Sequence, residues 1–303
     1  MATYTQISAE SLARFLYMFD IGELEDYEAI TDGIENSNYF VTLNNERKFV
    51  LTITENLDLE EVPFFNDLLG QLVNAGLPVP EPQRTLDGMP STLLKGKPTW
   101  LFNRLSGGHI DQPNQLQCRE IGKALALIHQ TSAKCRLQRD NTYHASWASE
   151  SLLQVQNQLS EADTACLTSV IGQYIKLEKE CPTLPRGIIH GDLFRDNALF
   201  ESDDLSGVID FYHACDDYLI QDIAITINDW CIEEGELIPS LQQALLDGYN
   251  EVREINADEM MHLEKFRMFA AMRFSLTRLV AGSEHPERQP DALLALLKSL
   301  SGA

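Results

Sequence analysis

The segment from Gly187 to Asp210 constrains this chain most, because it breaks a helical region with short apolar runs that each end in a polar residue. Within and just past it, His190-Gly-Asp-Leu-Phe-Arg-Asp-Asn-Ala-Leu-Phe200 and Gly207-Val-Ile-Asp-Phe211 set out Asp192, Asn197 five residues later and Asp210 thirteen beyond that. Such a stretch reads as short strands and loops embedded among helices. An isolated Asp or Asn is ordinarily a turn or cap residue. The ordered set of His, Asp, Asn and a strand-terminal Asp asks for more. Phosphoryl transfer from ATP needs a carboxylate to orient the attacking hydroxyl and take its proton, with hard oxygen ligands for magnesium. Asp192 is the candidate base, Asn197 and Asp210 are the candidate metal ligands, and His190 is expected to brace the loop. Arg195, between them, suits either a cation beside the transferring phosphoryl group or a salt bridge to an acidic surface.

The flanking sequence places this loop in a fold. Ser8 caps an expected helix whose Leu12, Phe15, Leu16 and Phe19 share a face, with Gly22 as its stop. Strands are expected at Tyr39–Leu43 and Lys48–Ile53, turned by Asn44-Asn45 because Asn tolerates positive φ. A helix should run from about Asp58 to Ala75 on a stripe of Val62, Phe65, Leu69 and Leu72. Two further strands, near Ser91–Leu94 and Thr99–Leu105, turn at Lys95-Gly96. Ser106-Gly107-Gly108 breaks the pattern. Beyond it helical spacing dominates: Ile121, Ala124, Leu125 and Ile128; Leu241, Leu245 and Leu246; Phe266, Phe269, Ala270 and Phe274. A small strand-rich lobe over 1–105 and a larger, mainly helical lobe over 106–303 match the α+β, protein-kinase-like two-lobed architecture.

Composition narrows the alternatives. A net charge of −23 disfavours duplex nucleic acid and anionic membranes, where Lys and Arg must neutralise phosphates. No apolar run is long enough to span a bilayer and no secretory signal is visible, so a cytoplasmic protein without a membrane partner is expected. The six cysteines are scattered without a CxxC pair, which suits free thiols better than a zinc site or disulfide framework. A metal hydrolase built on His190 would want more histidines nearby. Oligomeric state is not legible.

HGDLFRDN followed by GVIDF resembles the catalytic and metal-binding motifs of the aminoglycoside-phosphotransferase and choline-kinase-like family. Gly33–Val41, Phe49–Glu55, Asp210–Tyr218 and Asn228–Cys231 are similar to the homoserine kinases built on that fold. The resemblance spans nearly the whole chain. It implies ATP-dependent phosphorylation of the homoserine side-chain hydroxyl, a step toward threonine, with Asp192 as base and magnesium on Asn197 and Asp210. It also implies that Asp222 supports the catalytic loop. Another amino alcohol, choline or an aminoglycoside is the alternative acceptor, and a nucleotide-binding pseudokinase the alternative class.

On the nucleotide side, Gly33-Ile-Glu-Asn-Ser-Asn lies where kinases carry a glycine-rich loop. Asn36, Ser37 and Asn38 are therefore candidates to cradle phosphates. Val50 is expected to line the adenine pocket. Thr52 falls where relatives carry a strand Lys or Arg, with Lys48 two pleats away and Glu61 placed as that lysine's usual partner. A zwitterionic acceptor needs acids and cations; Asp216, Asp217, Asp229 and Glu233, and Arg267, Arg273 and Arg278, are available.

Overall fold

Alternation of period two in Tyr39–Leu43 and Phe49–Ile53 becomes the centre of a sheet. The structure, a computed structural model, describes residues 5–30, 36–135, 137–181, 183–282 and 290–302. Its chain divides into two compact units, Met1–Gly107 with Ser206–Ile209, and Gly108–Leu205 with Asp210–Ala303. The expected single boundary does not anticipate the short return of Ser206–Ile209 to the first unit.

In the first unit the elements are α1 (Ala9–Leu16), β1 (Leu24–Ile30), β2 (Asn36–Leu43), β3 (Lys48–Thr54), α2 (Val62–Asn74), β4 (Thr92–Leu94) and β5 (Lys97–Asn103). The strands form one antiparallel sheet in the order β1-β2-β3-β5-β4. Directly opposed residues share a face. Tyr39, Val41, Leu43, Phe49, Leu51 and Ile53 pack on Leu12, Phe15 and Leu16 of α1 and on Phe19 beyond it. Burial of each such side chain contributes roughly 1.5–3 kcal/mol. Ser8 caps α1 by accepting from the Ser11 amide at 3.2 Å, as expected.

Three local expectations are revised. In the β2–β3 turn the positive φ belongs to Glu46 (65°), not to either Asn. The Asn side chains act instead: Asn45 Nδ2 donates to Ile21 O at 2.8 Å, and Asn44 Oδ1 accepts from the Glu23 amide at 3.3 Å. Strand β1 was not anticipated; as an acidic edge strand, Leu-Glu-Asp-Tyr-Glu-Ala-Ile, it buries little and shows no clean alternation. Helix α2 begins at Val62 rather than near Asp58, because Pro63 suits a first helical turn and fixes the entry there. The Lys95-Gly96 turn does form, with φ of 53° and 79°, the positive pair that a two-residue hairpin favours.

The second unit comprises α3 (Gln115–Ser132), α4 (Ala145–Val155), α5 (Glu161–Glu180), β6 (Arg186–Ile189), β7 (Ala198–Glu201), the start of β8 (Asp204–Val208), β9 (Cys215–Tyr218), α6 (Leu219–Trp230), β10 (Ile232–Glu233), β11 (Glu236–Leu237), α7 (Pro239–Asn250), α8 (Ala257–Ala281) and α9 (Asp291–Ser301). Asn114 with Gln117 and Asn256 with Glu259 close capping boxes at the starts of α3 and α8. Helices α3 and α7 meet backbone to backbone. A Cβ added at Gly122 would lie 2.0 Å from Leu245 O, and one at Gly248 2.0 Å from Arg119 O. All six cysteines are free thiols. Among the described residues no helix is long and apolar enough to cross a membrane.

Candidate active site

Strands β6 and β9 pair antiparallel, Ile189 opposite Cys215, and the chain leaves β6 directly into His190-Gly191-Asp192. Gly191 adopts φ +76°, and a Cβ there would stand 2.8 Å from His213 O. Only glycine satisfies both conditions. The turn is then held from the first turn of α6. Asp222 accepts from the His190 amide at 2.7 Å and from the Gly191 amide at 2.9 Å.

Asp222 is fully buried, and burial works to raise its carboxyl. His129, with the positive potential around His190 and the Gly191 amide, more than offsets that, leaving it below the usual carboxylate range. His129 Nε2 lies 3.0 Å from Asp222 Oδ2, and its Nδ1 lies 2.7 Å from Tyr249 Oη. Arg253 donates to the same Tyr249 oxygen at 3.0 Å and pairs with Glu259. Helices α3, α6, α7 and α8 are thus joined through one buried polar chain beneath the loop. His190 is a brace, as expected: its Nδ1 accepts from the Asp192 amide at 3.3 Å and its ring packs on Phe211 at 4.6 Å.

Asn197 Nδ2 donates to Asp192 O at 2.7 Å and to Asp192 Oδ2 at 3.0 Å. Both amide hydrogens face Asp192, which turns the Oδ1 carbonyl the other way. Asp210 sits in the left-handed region (φ 63°, ψ 63°) at the entry to the short turn Phe211–His213. For a non-glycine residue that conformation costs on the order of 1–3 kcal/mol and is typical of functional positions. One carboxylate and one amide oxygen are hard donors of the kind magnesium takes beside a nucleotide, and would leave its other positions to phosphate and water. A resident metal would be held by more protein ligands. No group of three or more His, Cys, Asp and Glu converges among the described residues.

Arg195 takes the second of its two expected roles. Its amide and Nε reach Asp229 Oδ2 at 2.7 and 3.2 Å, and Nη1 donates to Asp111 O at 2.6 Å. The guanidinium therefore fastens the loop to α6. A partly buried acid competing for that cation is what holds it there.

The nucleotide candidates separate by strand register. Asn38 opposes Thr52, Asn36 opposes Thr54, and Phe40 opposes Val50, so Asn36, Asn38, Val50 and Thr52 share one face. Ser37 opposes Ile53 on the other. Its hydroxyl donates to Glu55 and accepts from the Thr5 amide at 2.7 Å. Glu55 also pairs with Lys97, and although burial opposes it, these partners hold its carboxyl down at about 2. Gly33, Ile34 and Glu35 lie outside the described residues. Glu61 sits at the N-cap of α2, its Oε2 accepting from the Asp58 amide at 3.4 Å.

The sequence matches the phosphotransferase enzyme family over residues 26–255. The chain belongs to that family. It is 40% identical over 282 residues to a homoserine kinase of Pseudomonas aeruginosa, covering 93% of this chain and 89% of that protein. Its fold is similar to that of an amicoumacin kinase in complex with AMP-PNP, Ca2+ and Ami (TM-score 0.75, 17% identity, 98% and 94% of the two chains). It also resembles a microcompartment-associated aminopropanol kinase (TM-score 0.74, 18% identity, 97% and 96%). The fold is therefore the protein-kinase-like phosphotransferase fold, and the chain is a small-molecule kinase.

The sequence pattern did not point to His129, Tyr249 or Arg253. It offered Arg273 only as a cation for the acceptor and not as a partner of the loop, yet its Nη1 donates to Gly191 O at 2.6 Å. One signal was present. His129 directly follows Ile128 at the end of the apolar stripe of α3, where an imidazole needs buried partners.

Proposed function

We propose that this protein transfers the γ-phosphoryl group of ATP to the side-chain hydroxyl of L-homoserine. The observation that carries the acceptor is the 40% identity to a homoserine kinase along 93% of the chain. The loop geometry supports the chemistry. Asp192 takes the acceptor proton as the hydroxyl oxygen bonds to phosphorus and the bridging oxygen leaves with ADP. Its Oδ2 is fixed by Asn197 at 3.0 Å, so the carboxylate keeps its orientation while the hydroxyl arrives. Asn197 Oδ1 and the Asp210 carboxylate would hold magnesium, which when bound disperses charge on the phosphates. Residues 1–105 serve the nucleotide, with Asn36, Asn38, Val50 and Thr52 on the serving face, and residues 106–303 serve catalysis and the acceptor. Ser37 and Arg195 are left in the supporting positions described above.

The test is a coupled ADP assay with ATP and magnesium against homoserine, choline, an aminoglycoside and simple amino alcohols. Homoserine should give the highest kcat/KM; a higher value for any other acceptor replaces the substrate assignment. In the same assay Asp192→Asn should lose about 10²–10⁴ in turnover and still bind ATP. Unchanged turnover would remove Asp192 from the base role.

A further inference from the structure

The sequence offered seven charged residues for a zwitterionic acceptor, and the structure sorts six of them. Asp216 is half-exposed and paired to Arg186, Asp229 is engaged by Arg195, and Glu233 is exposed on the β10–β11 hairpin. Arg267 is engaged by Asn228 and Glu264. Asp217 and Arg273 line one small cavity within the second unit, together with Asn141, Tyr143, Tyr174, Gln221, Phe269 and Met272. Asp217, Gln221 and Arg273 are 3%, 5% and 6% exposed. Among the described residues neither Gln221 Oε1 nor Arg273 Nε meets a hydrogen-bond partner, although both atoms are buried. An orphaned acceptor beside a buried carboxylate, and an orphaned donor on a buried guanidinium, are costly unless a ligand or water answers them.

The two orphans have opposite character, and they match the two charges of an α-amino acid. We propose, resting on the amino-acid kinase reading above, that this cavity is the acceptor subsite. Asp217 and Gln221 Oε1 receive the α-ammonium, and Arg273 receives the α-carboxylate. The place suits the reaction, because Arg273 Nη1 already donates to Gly191 O, the residue before the candidate base. Asp217 is oriented by the Asn141 side chain and the Tyr218 amide, both at 2.7 Å. Burial pushes its carboxyl up to about 6, against the Tyr218 amide, Arg186, Arg273 and Asn141, and Arg186 Nη2 stands 3.9 Å from its Oδ1. Without ligand the cavity measures about 10 Å³, room for about one water. Entry therefore draws the Arg273 guanidinium off the Tyr143 ring, on which it now rests at 4.0 Å.

Three acceptors read the two subsites separately: homoserine, 4-hydroxybutanoate, which lacks the ammonium, and 3-aminopropan-1-ol, which lacks the carboxylate. In wild type both truncated acceptors should fall well below homoserine in kcat/KM. Asp217→Asn should raise the homoserine KM about 10–100-fold with the KM for ATP unchanged, and should narrow the gap to 4-hydroxybutanoate while preserving the gap to 3-aminopropan-1-ol. Gln221→Met should do the same more weakly, and it covers the case in which Asp217→Asn does not fold. Arg273→Lys should narrow the opposite gap. Equal losses on all three acceptors in every variant mean that these residues support the fold only, and the subsite is then wrong. Failure of wild type to phosphorylate homoserine overturns the functional reading itself; the subsite then stands only if the preferred acceptor is another α-amino acid showing the same gaps.

Discussion

Asp222→Asn is the most demanding perturbation of the catalytic turn, because it changes charge with almost no change of shape. The carboxylate serves the amides of His190 and Gly191 at 2.7 and 2.9 Å and His129 Nε2 at 3.0 Å. An amide retains one acceptor oxygen and turns an NH2 toward a group that itself donates. Hydrogen bonds to a buried charge contribute about 1.5–3 kcal/mol each, and breaking one partner of such a buried set costs about 3–5 kcal/mol. The two losses overlap, so about 3–5 kcal/mol is the expected destabilisation of the second unit. Urea unfolding followed by the buried Trp230, on α6 with Asp222, reads that unit. A Trp100→Phe background removes the first unit's signal and leaves Trp147 and Trp230, both in the second unit. Amide exchange at His190 and Gly191 should quicken by about 10²–10³ if the turn opens locally. Turnover should fall at least about tenfold as Asp192 loses its seating. An unfolding midpoint within error of wild type, with His190 and Gly191 amides equally protected, would refute the claim that Asp222 holds this turn.

Gly122→Ala sets two effects against each other. Helix propensity favours alanine by about 1 kcal/mol, whereas overpacking costs about 1–3 kcal/mol or more. With Leu245 O 2.0 Å from the new Cβ, the steric term should win and lower the melting temperature; a stabilised variant would refute the close contact of α3 with α7. Glu55, held at about 2 against an ordinary 4.5, contributes stability above pH 4.5 that is lost as pH falls toward 2. With solvent screening of this partly exposed pair the contribution is about 1 kcal/mol. The stability difference between wild type and Glu55→Gln should therefore shrink on acidification through that window, and a pH-independent difference would count against it. For Asp217 the sign is opposite: its raised carboxyl contributes stability that is present below pH 3.8 and lost as pH rises through about 6. The homoserine KM should accordingly rise as pH drops below about 6, and Asp217→Asn should flatten that slope. Of the groups near Asp217, Arg186 and Arg273 stay charged in this range, and Tyr174, Tyr218 and Cys215 have their protons held on by burial. Glu178, also raised by burial, needs a Glu178→Gln control.

The sequence made legible whatever depends on local spacing. Period-two alternation gave β2 and β3, the stripes gave α1, α3, α7 and α8, and Lys95-Gly96 gave its turn. It did not give β1, whose acidic edge carries no burial signal, or the start of α2, which Pro63 decides. At the site, the spacing of Asp192, Asn197 and Asp210 was readable because one short stretch of sequence carries them, Asp192 and Asn197 before β7 and Asp210 just after β8. Of the partners that hold the Asp192 loop, only Asp222 was expected, and from the family resemblance. His129, Tyr249 and Arg273 reach the loop from helices far along the chain, and nothing local distinguishes Arg273 from Arg267 or Arg278. Ser37 shows the limit within a strand: counting residues placed it beside Asn36 and Asn38, while the pleat turned it to Glu55.

A contact made of main chain has no rotamers with which to relax. Where α3 and α7 touch at Gly122 and Gly248, their spacing is set by rigid peptide planes, as if by a machined shim. His129 lies about two helical turns beyond Gly122, and Tyr249 directly follows Gly248. The 2.7 Å link between those rings is therefore gauged by the backbones themselves. Drift in surrounding side-chain packing, with temperature or with neutral substitution, leaves that gauge unchanged.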